Sequence, residues 1–138
     1  MKILKKLIKF AAIFLLVLVI TACDQTTETE YLNVDYSDFV GQFIEDVEEQ
    51  LQMPSDDYYV YYYGPGCSAC IEIKPEVLDR FYRAKNTTIY FVTVYSELDL
   101  NLDSGVTATP TVIRVINGQV DEFYEGVSEI RSMLNQIT

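Results

Sequence analysis

Two cysteines three positions apart, Cys67 and Cys70, together with Cys23 far upstream, are the reactive sulfurs of this chain. A thiolate attacks a disulfide through a mixed-disulfide intermediate, so a close pair suits thiol-disulfide exchange. The pair closes too small a loop to stabilise a fold much through chain entropy, a contribution that grows with loop length. Its use is chemical. Metal binding is the competing reading, but two thiolates supply only half of a structural zinc shell, and the chain has no histidine to complete it. The missing imidazole also excludes Ser/His/Asp and Cys/His catalysis and haem attachment through Cys-x-x-Cys-His. Ten Lys+Arg against 21 Asp+Glu give a net charge of −11, which disfavours nucleic acid as a partner. No metal and no cofactor are expected.

The third cysteine has its own context. Lys2, Lys5, Lys6 and Lys9 precede an apolar run from Phe10 to Ile20, which is shorter than the roughly 20 residues of a spanning helix. Residues 1–22 therefore read as a secretion signal. Ile20-Thr21-Ala22-Cys23 resembles the lipobox of bacterial lipoproteins, which implies cleavage before Cys23 and diacylglycerol on its sulfur. An ordinary cleaved signal that happens to precede a Cys is the alternative. With Cys23 given to lipid, Cys67 and Cys70 remain as an isolated pair outside the reducing cytosol. The expected location is thus a cell membrane, lipid-anchored, with the domain on the extracytoplasmic side. Without residues 1–22 the chain keeps six Lys+Arg against 21 Asp+Glu, a net −15 on 116 residues. Such acidity repels anionic lipid, so the contact with the membrane reads as a covalent tether rather than adsorption.

The elements that must position the Cys pair follow from patterning. Residues 23–35 comprise the lipidated Cys and a polar, flexible linker, whose Asp24–Asp35 part spans at most about 40 Å. Residues 36–138 form one α/β domain. Asp35 or Ser37 can cap a helix carrying Phe39, Val40, Phe43, Ile44, Val47 and Leu51 at helical spacing. Pro54 to Asp57 break that pattern, and Tyr58 to Tyr63 is a β-favouring run suited to a central strand. Gly64-Pro65-Gly66 ends the strand, and the cysteines open a helix with Ala69, Ile73, Val77, Phe81 and Ala84 on one stripe. Thr88 to Tyr95 is the next strand, and Glu97 to Gly105 a polar connection. Thr111 to Ile116 and Gln119 to Tyr124 flank Asn117-Gly118, a strong hairpin signal. Gly126 precedes a last amphipathic helix with Ile130, Met133, Leu134 and Ile137. The helical crossover makes the first two strands parallel.

A cysteine in the first helical turn sits among unsatisfied N–H groups at the positive end of the macrodipole, and both favour its thiolate. Cys67 is thereby the nucleophile. Cys70, one turn further on, is placed to attack a mixed disulfide at Cys67 and release the partner. Lys74 either assists thiolate formation or is a solvated helix lysine. The tyrosines of 58–63 read as core packing or as an aromatic peptide-binding surface near Cys67.

From about Tyr58 onward the chain resembles the thioredoxin-like family of thiol-disulfide oxidoreductases. The resemblance rests on Cys67-Ser68-Ala69-Cys70 after a buried strand and Pro75 five residues past the second Cys. Val106-Thr107-Ala108-Thr109-Pro110-Thr111 looks like the family's cis-proline loop, followed by strand, Asn-Gly turn, strand, Gly126 and terminal helix. The resemblance implies a three-layer fold, with a mixed sheet of about four strands flanked by helices. It also implies a cis Thr109-Pro110 bond, with Thr109 and Pro110 offering backbone hydrogen bonds to a bound peptide. Expected partners are protein thiols or disulfides and a membrane or extracytoplasmic redox partner. Two positions depart from the pattern: Gly66 stands where a tryptophan usually precedes the first Cys, and Tyr61 where thioredoxins carry a buried acid. A phenol ionising near pH 10 is a poor base at neutral pH. The sequence thus favours a tethered oxidoreductase, with a non-catalytic binding module holding a local disulfide as the alternative.

Overall fold

The β-favouring run after Pro54 forms the middle of the sheet. β1 (Asp57–Tyr63) pairs in parallel with β2 (Ile89–Thr93) and antiparallel with β3 (Thr111–Ile116), and β4 (Gln119–Glu125) closes the far edge in the order β2-β1-β3-β4. α1 (Ser68–Arg83) is the crossover between β1 and β2, and α2 (Gly126–Leu134) follows β4. The structure, a computed structural model, describes residues 30–138; residues 1–22 and Cys23 lie outside the described residues. β3 and β4 turn at Asn117 and Gly118, both with positive φ, as a two-residue hairpin with this twist requires.

Strand alternation divides the tyrosines between two cores. Tyr59, Tyr61 and Tyr63 face α1 and α2, among Ile73, Val77, Phe81, Ile130 and Met133. Tyr58, Val60 and Tyr62 face the opposite layer, among Ile44, Leu51, Val92, Val106 and Ile113. Both helices thus pack on one face, and short 3-10 turns at Glu48–Leu51 and Leu102–Ser104 lie in the segments that cover the other. Arg131 of α2 reaches Glu76 of α1 at 2.6 Å, an exposed pair between the two helices.

The helix expected over the Phe39–Leu51 stretch is not formed. Two 3-10 turns, Tyr36–Asp38 and Glu48–Leu51, stand at its ends, and Gly41 between them has φ 79°, a left-handed conformation that interrupts a helix. The open edge of β2 outcompetes it. Phe91 donates to the Gln42 carbonyl at 2.8 Å and accepts from the Ile44 N–H at 2.9 Å, a short parallel bridge that draws the segment out straight. Phe39 and Ile44 are buried all the same, while Val40, which belonged to the expected apolar face, is 89% exposed. The end of the expected linker is docked: the Leu32 N–H donates to Asp79, and Asp35 caps the first 3-10 turn while pairing with Lys74 at 2.6 Å. Lys74 is therefore neither free in solvent nor aimed at a thiol.

Burial gives the tyrosines a measurable consequence. Desolvation pushes the phenols of Tyr36, Tyr61 and Tyr62 well above the ordinary value, and that of Tyr124 up to about 12, with Glu122 adding to the last. Between pH 10 and the native values the unfolded chain releases these protons and the folded chain holds them, so the unfolded state binds fewer and stability falls as pH rises. Thermal melts should show Tm nearly level to about pH 9 and dropping steeply above about pH 10. A Tm unchanged at pH 11 would contradict these shifts.

Candidate active site

β1 runs out at Tyr63, and Gly64-Pro65-Gly66 turns the chain into α1. The Cys67 N–H donates to the Gly64 carbonyl at 3.1 Å, which closes the turn. Cys67 then takes the N-cap position with extended φ and ψ, and its sulfur accepts from the Cys70 N–H at 3.1 Å. That N–H is one of the donors a helix start leaves without an intrahelical partner, so the same contact favours negative charge on Sγ when the pair is reduced. Cys67 and Cys70 form a disulfide, with Cα atoms 5.2 Å apart. Their exposure differs. Cys67 is half-buried, whereas Cys70 is 2% exposed and packs in the core with Ile73 and Val77. An incoming sulfur therefore meets Cys67 first.

The second wall of the site comes from the loop before β3. Thr109-Pro110 is cis, as the resemblance implied, and the Thr109 carbonyl oxygen lies 3.5 Å from Cys67 Sγ. Two bonds fix this loop: Thr111 Oγ1 donates to the Ala108 carbonyl at 2.8 Å, and the Gly126 N–H donates to the Pro110 carbonyl at 2.9 Å. Gly126 has φ 80°, which a glycine adopts at little cost. Gly64 sits beneath both walls, and a Cβ there would come within 3.4 Å of Cys67 Cβ and 3.5 Å of Thr109 Oγ1. At Gly66, by contrast, a Cβ would meet nothing within 4 Å, so the position of the usual tryptophan is open space. Cys67, Cys70 and Thr109 are thus brought together, and buried Pro110 holds the loop behind them.

Neighbours on the Cys70 side were not legible in the sequence. Tyr36 stacks on Tyr63 with ring centroids 4.3 Å apart, and the Lys74 ammonium lies 4.6 Å from the centre of the Tyr36 ring. These residues, with Pro65, Ile71 and Cys70, border a cavity of about 310 Å³ beside the disulfide. The signals were Asp35 as a cap and the aromatic character of Tyr36, but they straddle the boundary between the expected linker and the domain. Tyr61 is fully buried, and its hydroxyl lies beside the Tyr36 phenol. Burial holds that phenol neutral at any physiological pH.

A family model described as Thioredoxin matches residues 41–138. Among solved structures, the oxidised thioredoxin of Plasmodium falciparum is similar at 15% identity with a TM-score of 0.57, over 69% of this chain and 95% of that one. The thioredoxin of Fasciola hepatica gives 19% identity and a TM-score of 0.55, over 70% of this chain and 96% of its own. The oxidised mitochondrial thioredoxin 3 of Saccharomyces cerevisiae gives 19% identity and 0.52, over 61% and 78%. At such identities the likeness to solved structures is one of fold. No curated protein matches the chain.

Proposed function

Because the chain belongs to the thioredoxin family, we propose that it is a thiol-disulfide oxidoreductase that exchanges disulfides with proteins on the extracytoplasmic side of a membrane, to which lipid on Cys23 tethers it. The observation that carries the chemistry is the asymmetry of the pair, with Cys67 accessible at the helix start and Cys70 buried behind it. In the reductive direction the Cys67 thiolate attacks one sulfur of a partner disulfide, and the other partner sulfur leaves as a thiolate. Cys70 loses its proton and attacks Cys67 Sγ, and the partner departs with both sulfurs reduced. Two electrons have passed to the partner, and Cys67–Cys70 is the new disulfide. Oxidation runs the same steps backwards, and the direction follows the potential of the pair relative to its partner.

Thr109 and Pro110 serve as the substrate-binding edge in this reading. The Thr109 carbonyl next to Cys67 Sγ supports that role, since it is an acceptor for an extended peptide whose cysteine has reached the nucleophile. Tethering rests on residues 1–22 and the Ile20-Thr21-Ala22-Cys23 motif. Two or more acyl chains at about 0.8 kcal/mol per buried CH₂ hold a protein on a membrane almost permanently. The chemistry is tested by disulfide exchange between residues 24–138 and a small-protein substrate; an inert domain sinks the proposal. For the tether, Cys23→Ala is expected to move the protein from the membrane pellet to the soluble extracytoplasmic fraction. If the variant pellets as before, the anchor is something other than Cys23.

A further inference from the structure

The outer edge of β2 is only partly covered. Phe91 uses its N–H and C=O on Gln42 and Ile44, whereas Val94 donates inward to Tyr63. By the alternation of a strand's main-chain groups, Thr93 is the next residue to present its N–H and C=O outward, and neither has a partner among the described residues. Beyond Ile44 the covering segment swings away, and a cleft of about 350 Å³ opens between it and the end of β2.

Phe43 and Tyr95 form apolar walls of this cleft, and Tyr95 is 80% exposed. Glu45 and Asp99 stand at its sides, and neither meets a Lys or Arg at ion-pair distance among the described residues. The nearby cation Lys74, which shares a cavity lining with Thr93 and Tyr95, is committed to Asp35. Asp99 accepts from the Tyr95 and Ser96 N–H groups, which hold its carboxyl below the usual range and therefore charged. Thr93 and Tyr95 also border the cavity beside the disulfide, so a chain leaving Cys67 on that side has a continuous path into the cleft.

We propose that this cleft binds an extended segment carrying Lys or Arg from the polypeptide whose sulfur exchanges with Cys67. Unpaired main-chain groups at Thr93 select an extended strand, which adds to the edge through its own backbone. The uncompensated carboxylates select cationic side chains, and the aromatic walls favour guanidinium, which stacks on ring faces. This inference rests on the oxidoreductase reading for its choice of occupant.

The test uses the oxidised full chain in neutral detergent and a labelled, cysteine-free peptide with alternating Arg, against its Glu counterpart. Binding followed by anisotropy should favour the Arg peptide by about tenfold or more, with that preference shrinking as salt rises. Hydrogen exchange at the Thr93 N–H should slow on binding. Glu45→Lys, at an exposed site, should weaken the Arg peptide about fivefold while leaving exchange with hydroxyethyl disulfide unchanged. Equal binding of the two peptides overturns the proposal. So does Arg-peptide binding that leaves Thr93 unprotected, which is general attraction to an acidic surface. Because the peptide carries no sulfur, a protein that binds it but fails to turn over hydroxyethyl disulfide refutes the oxidoreductase reading and leaves the cleft standing.

Discussion

Cys67→Ser is expected to remove disulfide exchange to background, a loss on the order of a thousandfold or more, because a hydroxyl at that position supplies no thiolate. Cys70→Ala should behave differently. Cys67 keeps its place at the helix start, and the Cys70 main-chain N–H that contacts its sulfur survives the substitution. The first attack therefore proceeds, resolution does not, and mixed disulfides with partners accumulate. Non-reducing gels and mass spectrometry read both variants, and the adducts from Cys70→Ala identify the partners. Equal exchange by wild type and Cys67→Ser would refute the role of Cys67. Adducts formed by Cys67→Ser but not by Cys70→Ala would mean that the two sulfurs have exchanged roles, against the burial of Cys70.

What the sequence made legible is what local rules govern. Asn117-Gly118 tolerates positive φ and sets the hairpin, and the β-favouring run at Tyr58–Tyr63 forms the central strand. The spacing of Ile73, Val77 and Phe81 gives the buried stripe of α1. The place of Cys67 could be read for the same reason, since a Cys between a strand-ending glycine turn and an amphipathic stripe falls at a helix N-cap. The cis-proline loop came from the resemblance alone; nothing in Thr109 or Pro110 taken singly distinguishes cis from trans.

What stayed hidden depends on partners distant in sequence. Phe39, Ile44 and Leu51 fit a helical period, yet the same residues are buried when the segment lies extended against β2. Periodicity cannot register that β2 has a free edge. Gly41 was the local warning, a poor helix former near the middle of the window. The aromatic surroundings of Cys70 were hidden likewise, because Tyr36 stacks on Tyr63, 27 residues on, beside the Asp35–Lys74 pair that reaches α1. Sequence polarity marks a stretch as soluble but does not say whether a few of its side chains find anchors.

The second large effect concerns Tyr61, six residues before Cys67, where the family's acid would help take a proton from the second thiol. Its phenol is buried and neutral, with the Tyr36 phenol beside it, so no base at this position takes a proton from Cys70. Tyr61→Phe should then leave the resolution rate within about twofold of wild type. It should also change stability by no more than about 1 kcal/mol, because the ring stays and the hydroxyl's contact with the Tyr36 phenol is all that is removed. Tyr61→Asp replaces a large ring in the core with a small carboxyl, which leaves a cavity and buries a polar group. A cost of about 4 kcal/mol is expected from the two together. What remains folded should acquire a pH dependence of resolution in the neutral range, since burial raises the carboxyl's pKa toward it. Denaturant midpoints and the pH profile of mixed-disulfide decay measure both variants. A tenfold slowing in Tyr61→Phe would show that the hydroxyl takes part in resolution, as a hydrogen-bond donor that stabilises the attacking Cys70 thiolate.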